Sequence, residues 1–260
     1  MGLRHMLQIL VGSRTACRAT RGEQLWSQPL GLAVILTLAL FGQTASADIT
    51  SARYTDPTTR YAHGVLGDTV EWGTLELRLS NGARRRLVLP KNRVFEDLSP
   101  RLVDVDGDNA PEVIVVESSQ TEGARLAIYG ADGLIAATPF IGQRNRWLAP
   151  VGAADLDGDG LIEIAYVDRP HLAKTLRVWR FKNTTLTQIA TQKNITNHRI
   201  GQDFITGGIR DCGQRPEMVV LKGDWSQVLS LSLSKQGQLK TKVLGSFEGP
   251  DSVAQLMRCP

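Results

Sequence analysis

The sequence predicts an all-β fold made by repeating one small antiparallel unit, and three observations carry that expectation. Two acidic segments, DVDGDNAPE from Asp104 to Glu112 and DLDGDGLIE from Asp155 to Glu163, lie 51 residues apart in similar surroundings. Hairpin turn signals recur at intervals of about 50 residues, at Asn81-Gly82, Asp132-Gly133, Lys182-Asn183 and Gln236-Gly237. Each sits between two strand-like runs. No segment beyond residue 47 sustains a helical period.

Residues 1–47 read as an export signal and stand outside the fold. Arg4, Arg14, Arg18 and Arg21 form a basic leader, and Leu30 to Gly42 is an apolar run of 13 residues. Ala45-Ser46-Ala47 offers a small-residue cleavage site, which starts the mature chain at Asp48 and places it in the periplasm or outside the cell. The apolar run falls short of the roughly 20 residues a membrane span needs. Residues 48–260 then form one domain.

In order, the first unit reads as YAHGVL (61–66), TLELRLS (74–80) and RLVL (86–89). The second has PRLVDV (100–105), EVIVVE (112–117), RLAIY (125–129) and IAATPF (135–140). The third has APVGAADL (149–156), EIAYVD (163–168), TLRVWRF (175–181) and TLTQIA (185–190). The fourth has FITGGIRD (204–211), EMVVLK (217–222), QVLSLSL (227–233) and LKTKVLG (239–245). Continuous apolar runs suit buried strands and alternating ones half-buried strands. The first unit lacks a leading strand, and SVAQLMRC (252–259) matches the missing one in position and character. That is how a β-propeller closes its ring, so the expected fold is a small propeller of four or five four-stranded blades closed by a C-terminal strand.

Charge gives no sign of a nucleic-acid partner. Four of the 30 basic and one of the 26 acidic residues lie in the signal, leaving 26 against 25. Arg84-Arg85-Arg86 is read as the solvated face of a strand. Cys212 and Cys259 are the only cysteines beyond the signal, and an oxidising setting favours a disulfide between them.

The acidic segments read as calcium loops. Asp104, Asp106 and Asp108 occupy positions 1, 3 and 5, the backbone carbonyl of Ala110 falls at 7, and Glu112 falls at 9. Asp155, Asp157, Asp159, Leu161 and Glu163 repeat the pattern. Carboxylates packed this closely repel unless a cation joins them, and oxygen-only ligands select a hard ion, so two Ca²⁺ sites are expected. In the third copy, IRDCGQRPE, Arg210, Cys212 and Gln214 stand where carboxylates belong, which removes the metal.

WLAPVGAADLDGDGLIEIAYV (147–167) resembles an FG-GAP or VCBS-type repeat, and RLVDVDGDNAPEVIVV (101–116) is a second copy. The family is that of the calcium-binding β-propellers similar to the N-terminal domain of integrin α chains. The resemblance implies calcium in the loop joining the first and second strands of a blade. Integrin-type rings have seven blades, more than this chain has room for.

A site whose ligands all come from one short loop is structural, which moves attention to the opposite face. By register that face carries Trp72, Glu96 and Asp97 early in the chain, then Arg146 and Trp147. Asp168, Arg169 and His171 follow, then His198, Arg199 and Trp225. Rigid aromatics and guanidiniums suit recognition of a protein, small-molecule or carbohydrate ligand, and loops on a rigid scaffold carry function. His63 is read as a buried, satisfied side chain. The expected function is an exported calcium-binding module without catalysis. The alternative is a hydrolase or lyase that uses His171, His198 and Asp168 as acid, base or ligand.

Overall fold

The computed structural model describes residues 47–259, so all but the last residue of the expected export signal lies outside the described residues. The first unit comprises β1 (Ile49–Thr58), β2 (Glu71–Leu79) and β3 (Arg84–Val88), with β2 between the other two. A short linking strand, β4 (Arg93–Phe95), leads to β5 (Arg101–Val103), β6 (Glu112–Ser119), β7 (Gly123–Gly130) and β8 (Gly133–Ala137). Because β4 pairs with both β2 and β6, the first two units form one eight-stranded antiparallel sheet. The third unit is a four-stranded sheet of β9 (Leu148–Ala154), β10 (Glu163–Asp168), β11 (Thr175–Lys182) and β12 (Thr185–Lys193). The fourth contains β13 (Ile195–Thr196), β14 (Gly208–Arg210), β15 (Glu217–Lys222), β16 (Gln227–Leu233) and β17 (Leu239–Ser246), and helix α1 (Pro250–Met257) follows.

Sheet faces pack on one another through apolar seams. Second strands are enclosed on both faces, so every residue of β6 and β10 is buried. This is why they read as unbroken apolar runs. Leu126, Ile128 and Trp147 meet Ile164, Tyr166 and Phe181 between the second and third units. Val167, Leu176 and Val178 meet Met218, Val220 and Leu231 between the third and fourth. Each such side chain contributes about 1.5–3 kcal/mol by leaving water. On the outer strand β3 all three arginines are exposed, as expected of a solvated face; Arg86 reaches Asp56 at 2.6 Å.

The linkers between units share a role that the sequence did not announce. Glu96 N donates to Val116 O beside β4, Ala124 N to Arg146 O between the second and third units, and Ile195 N to Lys174 O between the third and fourth. Gly123 has φ +74°, and a Cβ there would lie 2.2 Å from Gln143 O and 2.8 Å from Arg146 O, so only glycine lets this linker press against β7. The linkers meet the C-terminal ends of β6 and β10, whereas the acidic loops precede their N-terminal ends.

Three expectations are corrected. Residues 61–66 form turns rather than a strand: Gly64 has φ +67°, Tyr61 OH accepts a bond from Asn145 N, and His63 is held by Glu96. The strand beside β2 is instead β1, with Tyr54 opposite Leu75 and Ala52 opposite Leu77. The third hairpin turns on Asn183 and Thr184, with φ of 50° and 57°, one residue later than expected. The C-terminal segment is not a closing strand but a helix, started by Pro250 with Asp251 in the first turn. Val253, Leu256 and Met257 fall at helical spacing and cover Val219, Leu221 and Val228, so α1 caps the last sheet instead of completing the first. No closed ring forms among the described residues.

Cys212 and Cys259 form the expected disulfide, with Cα atoms 5.3 Å apart, and it ties the end of α1 to the loop before β15. Arg210 Nη1 also donates to Leu256 O. No helix among the described residues is long and apolar enough to cross a membrane.

Candidate functional site

Both acidic loops are shaped by their first aspartate. Asp104 accepts from Gly107 N at 2.7 Å and Asn109 N at 3.0 Å, and Asp155 accepts from Gly158 N at 2.7 Å and Gly160 N at 3.0 Å. Gly107 and Gly158 supply the positive φ, 82° and 76°, that curls each loop. At position 7, the amides of Ala110 and Leu161 donate to Asp108 and Asp159 at 2.8 and 2.9 Å. Each loop is closed by a glutamate that turns one oxygen back to an amide: Glu112 to Val105 N and Glu163 to Leu156 N.

Beyond that shared frame the loops diverge. In the first, carboxylate oxygens of Asp104, Asp106 and Asp108 lie within 4.8 Å of one another, and no basic side chain among the described residues pairs with them. Burial pushes the Glu112 carboxyl up, the Val105 amide opposes it, and the charges of Asp106, Asp108 and Asp104 add to the rise. A cavity of about 500 Å³ borders Asp108, Ala110, Glu112 and Gly130. Oxygen donors, unrelieved repulsion and open space fit a hard cation. In the second loop, Asp155, Asp157 and Glu163 are as close, but Arg180 reaches in from β11. Its guanidinium lies 2.5 Å from Asp157 Oδ2, 3.1 Å from Asp159 Oδ2 and 2.7 Å from Glu163 Oε1. Burial raises the Glu163 carboxyl, and Arg180 and the Leu156 amide pull it back.

The third loop differs more than its sequence suggested. Six residues separate the paired Arg210 and Glu217, where eight separate Val103 from Glu112 and Ala154 from Glu163. Arg210 is therefore the last residue of β14, not the first of the loop, and its Nε donates to Glu217 Oε1 at 2.7 Å.

At the opposite ends of the second strands, segments from successive units enclose a cavity of about 420 Å³. His63 and Val65 come from the turns after β1, Arg146 and Trp147 from the linker before β9, Arg169 and His171 from the loop after β10, and Ile200 from beyond β13. Leu172 and Ile200 are 64% and 71% exposed, which gives the rim an apolar character. Arg146 donates to Asn145 O and pairs with no carboxylate among the described residues.

Hydrogen bonding fixes the imidazoles. His198 Nε2 meets the Gln202 carbonyl at 2.9 Å, so it carries the proton, and Nδ1 is left as acceptor for His171 Nε2 at 3.0 Å. His171 Nδ1 then holds a bare lone pair. Burial lowers the pKa of both rings, His171 to about 4 with the neighbouring His198 adding to the drop, so both are neutral at pH 7. His63 Nδ1 bonds the fully buried Glu96 Oε1 at 2.6 Å. Burial pushes Glu96 up, while His63 and Ser118 stabilise its charge. Trp147 is anchored through Nε1 to Glu96 O at 2.9 Å and packs edge-on to His198. Next to this group, Glu71 is 3% exposed, and its carboxyl is pushed up to about 9 by burial, then by Glu96, Asp68 and Asp97.

The expected ligand face is thus sorted by the structure. Arg146, Trp147, Arg169 and His171 line the cavity, and Glu96 and His198 brace it from behind. Asp97 is held by Arg101, Tyr54 and the Val116 amide, and Asp168 by Arg169 and Arg177, so both serve as struts. Trp72 packs in the core of the first two units. Arg199 stacks over Trp225 at 4.3 Å, in the cluster around α1. His63 was missed because residues 61–66 read as a strand; Gly64 and Gly67 were the available signal for turns.

Residues 104–166, which span both acidic loops, match the FG-GAP-like repeat. The segment that carries both acidic loops is therefore of the FG-GAP-like repeat type. The match is to the repeat alone and carries none of the integrin particulars. No curated protein matches the chain.

Proposed function

We propose that the chain is an exported, calcium-bearing, propeller-like binding module whose ligand is a small molecule with both an anionic group and a hydrogen-bond donor. The units act as blades of an open array, and calcium in the first loop is structural. The apolar leader and the Cys212–Cys259 pair support export.

One observation carries the ligand reading. His171, an imidazole without a free donor, and His63, held through Nδ1 on Glu96, share a cavity with Arg146, a cation lacking a carboxylate partner among the described residues. The lone pair of His171 suits a hydroxyl or amine, and the guanidinium suits a carboxylate or phosphate. A cavity of about 420 Å³ holds a small molecule rather than a folded partner.

The test is calorimetric titration of the full chain with sugar acids, hydroxy acids and free amino acids. Binding weakens at least ten-fold in Arg146→Ala and in His171→Asn and is unchanged in Asp104→Asn. It also weakens as pH falls from 7 towards 4, where His171 gains a proton and loses its lone pair. Failure of every compound, or binding that survives both cavity substitutions, overturns the reading.

Catalysis is favoured by one feature, the buried Glu96 that orients His63 as a base. No hydroxyl, thiol or carboxylate lines the cavity among the described residues, so a hydrolase would need water as nucleophile. Hydrolysis of a sugar ester that His63→Gln abolishes would establish this reading in place of binding alone.

A further inference from the structure

We infer that the second acidic loop takes a guanidinium, not a metal ion, as its cation, so that Arg180 limits the chain to one metal site. This goes beyond the proposed function, resting on it only for the metal in the first loop.

Arg180 is aimed by strand register. It stands directly opposite Glu163 across the β10–β11 ladder, which puts its side chain over the loop that Glu163 closes. Nitrogens Nη2, Nη1 and Nε then meet one carboxylate each, on Asp157, Asp159 and Glu163. Asp157 and Glu163 are wholly buried, and a carboxylate buried in its charged form needs a counter-charge. The fork of the guanidinium meets that need with directed hydrogen bonds. Asp155, the remaining acid, has both oxygens engaged by backbone amides. A second arginine, Arg215, donates to the Asp157 carbonyl at 2.9 Å. A divalent ion entering this loop would have to displace Arg180 from three partners and then lie beside its charge.

The first loop shares the amide-bound first aspartate, since both oxygens of Asp104 accept from backbone amides, but no arginine among the described residues reaches into it. One step beyond the Val113–Tyr129 pair, the place of Arg180 falls to Gly130. Gly130 brings no side chain to the loop and lines the cavity of about 500 Å³ beside Glu112. Asp106 is exposed where its counterpart Asp157 is buried, so the first loop is open to an ion from solution. In the fourth unit a guanidinium again sits on the glutamate that ends the loop, here that of Arg210 on Glu217. Two of three loops therefore carry a covalently supplied cation.

The experiment counts calcium ions bound to the full chain by equilibrium dialysis and calorimetry. Wild type is expected to bind one ion, Asp106→Asn with Asp108→Asn none, and Asp157→Asn still one. Arg180→Gln is expected to bind two, and adding Asp157→Asn to it returns the count to one. Two ions in wild type with one lost in Asp157→Asn overturns the inference, and so does an Arg180→Gln protein that gains no ion. Should Arg180→Gln not fold, Asp157→Asn alone decides, because a changed count refutes the assignment. No ion in wild type but one in Arg180→Gln would remove calcium from the first loop and leave the guanidinium assignment standing.

Discussion

Replacing both Cys212 and Cys259 by alanine tests what holds the C-terminal end in place. The disulfide closes a loop with a sequence separation of 47 residues that contains β15, β16, β17 and α1. Loop-closure entropy for that length gives about 4 kcal/mol of lost stability, because the unfolded chain regains the freedom the bond withheld. For a domain of this size the melting temperature falls by about 8–16 °C. Loss of the bond also weakens the seat of α1, where Val253 is 2% exposed and the Arg210–Leu256 bond is the remaining tie. Trp225, packed on Phe247 beside α1, offers a local fluorescence signal for urea unfolding of the double variant against oxidised wild type. Cutting the chain before Pro250 should cost at least as much, since it also exposes Val219, Leu221 and Val228. A loss below about 1 kcal/mol in the double variant would refute the argument.

Two further outcomes follow from the site. Calcium at a hundred times its dissociation constant stabilises the full chain by about 2.7 kcal/mol over the chelated protein, and Asp106→Asn with Asp108→Asn abolishes the difference in melting temperature. Glu71, with its folded pKa raised to about 9 from 4.5, holds a proton that the unfolded chain releases, so its contribution is complete below pH 4.5 and lost as pH rises towards 9. Glu71→Gln should therefore gain on wild type by an amount on the order of a few kcal/mol between pH 5 and pH 8 in urea unfolding; parallel pH profiles would rule this out.

The hairpins were legible because turn residues and strand periodicity are local: QVLSLSL is β16 residue for residue, and TLRVWRF differs from β11 by one. The acidic loops were legible for the same reason, since a loop that makes its own bonds needs no distant partner. Short elements were not. Eight residues of α1 carry too few turns to establish a period, and SVAQLMRC satisfies a strand pattern equally well until Pro250 and the apolar face of Val219 and Val228 are considered together. Arg180 was illegible in another way. Its meaning lies across a ladder, in Glu163, and only aligning units by their hairpin turns sets it beside Gly130. Register brought Arg146, Trp147, Arg169 and His171 to one end of the strands, where a cavity lies, but it cannot tell a cavity wall such as His171 from a strut such as Asp168.

The linkers give the molecule a direction of flexing. On the cavity side, neighbouring units are sewn together by main-chain bonds at Glu96, Arg146 and Ile195, like the spine of a book. On the acidic-loop side the third and fourth units are joined by a side chain, Arg215 on the Asp157 carbonyl. Opening between the third and fourth units is therefore expected to begin at the acidic loops, where a side-chain bond gives way, and to leave the main-chain bonds beside the pocket in place.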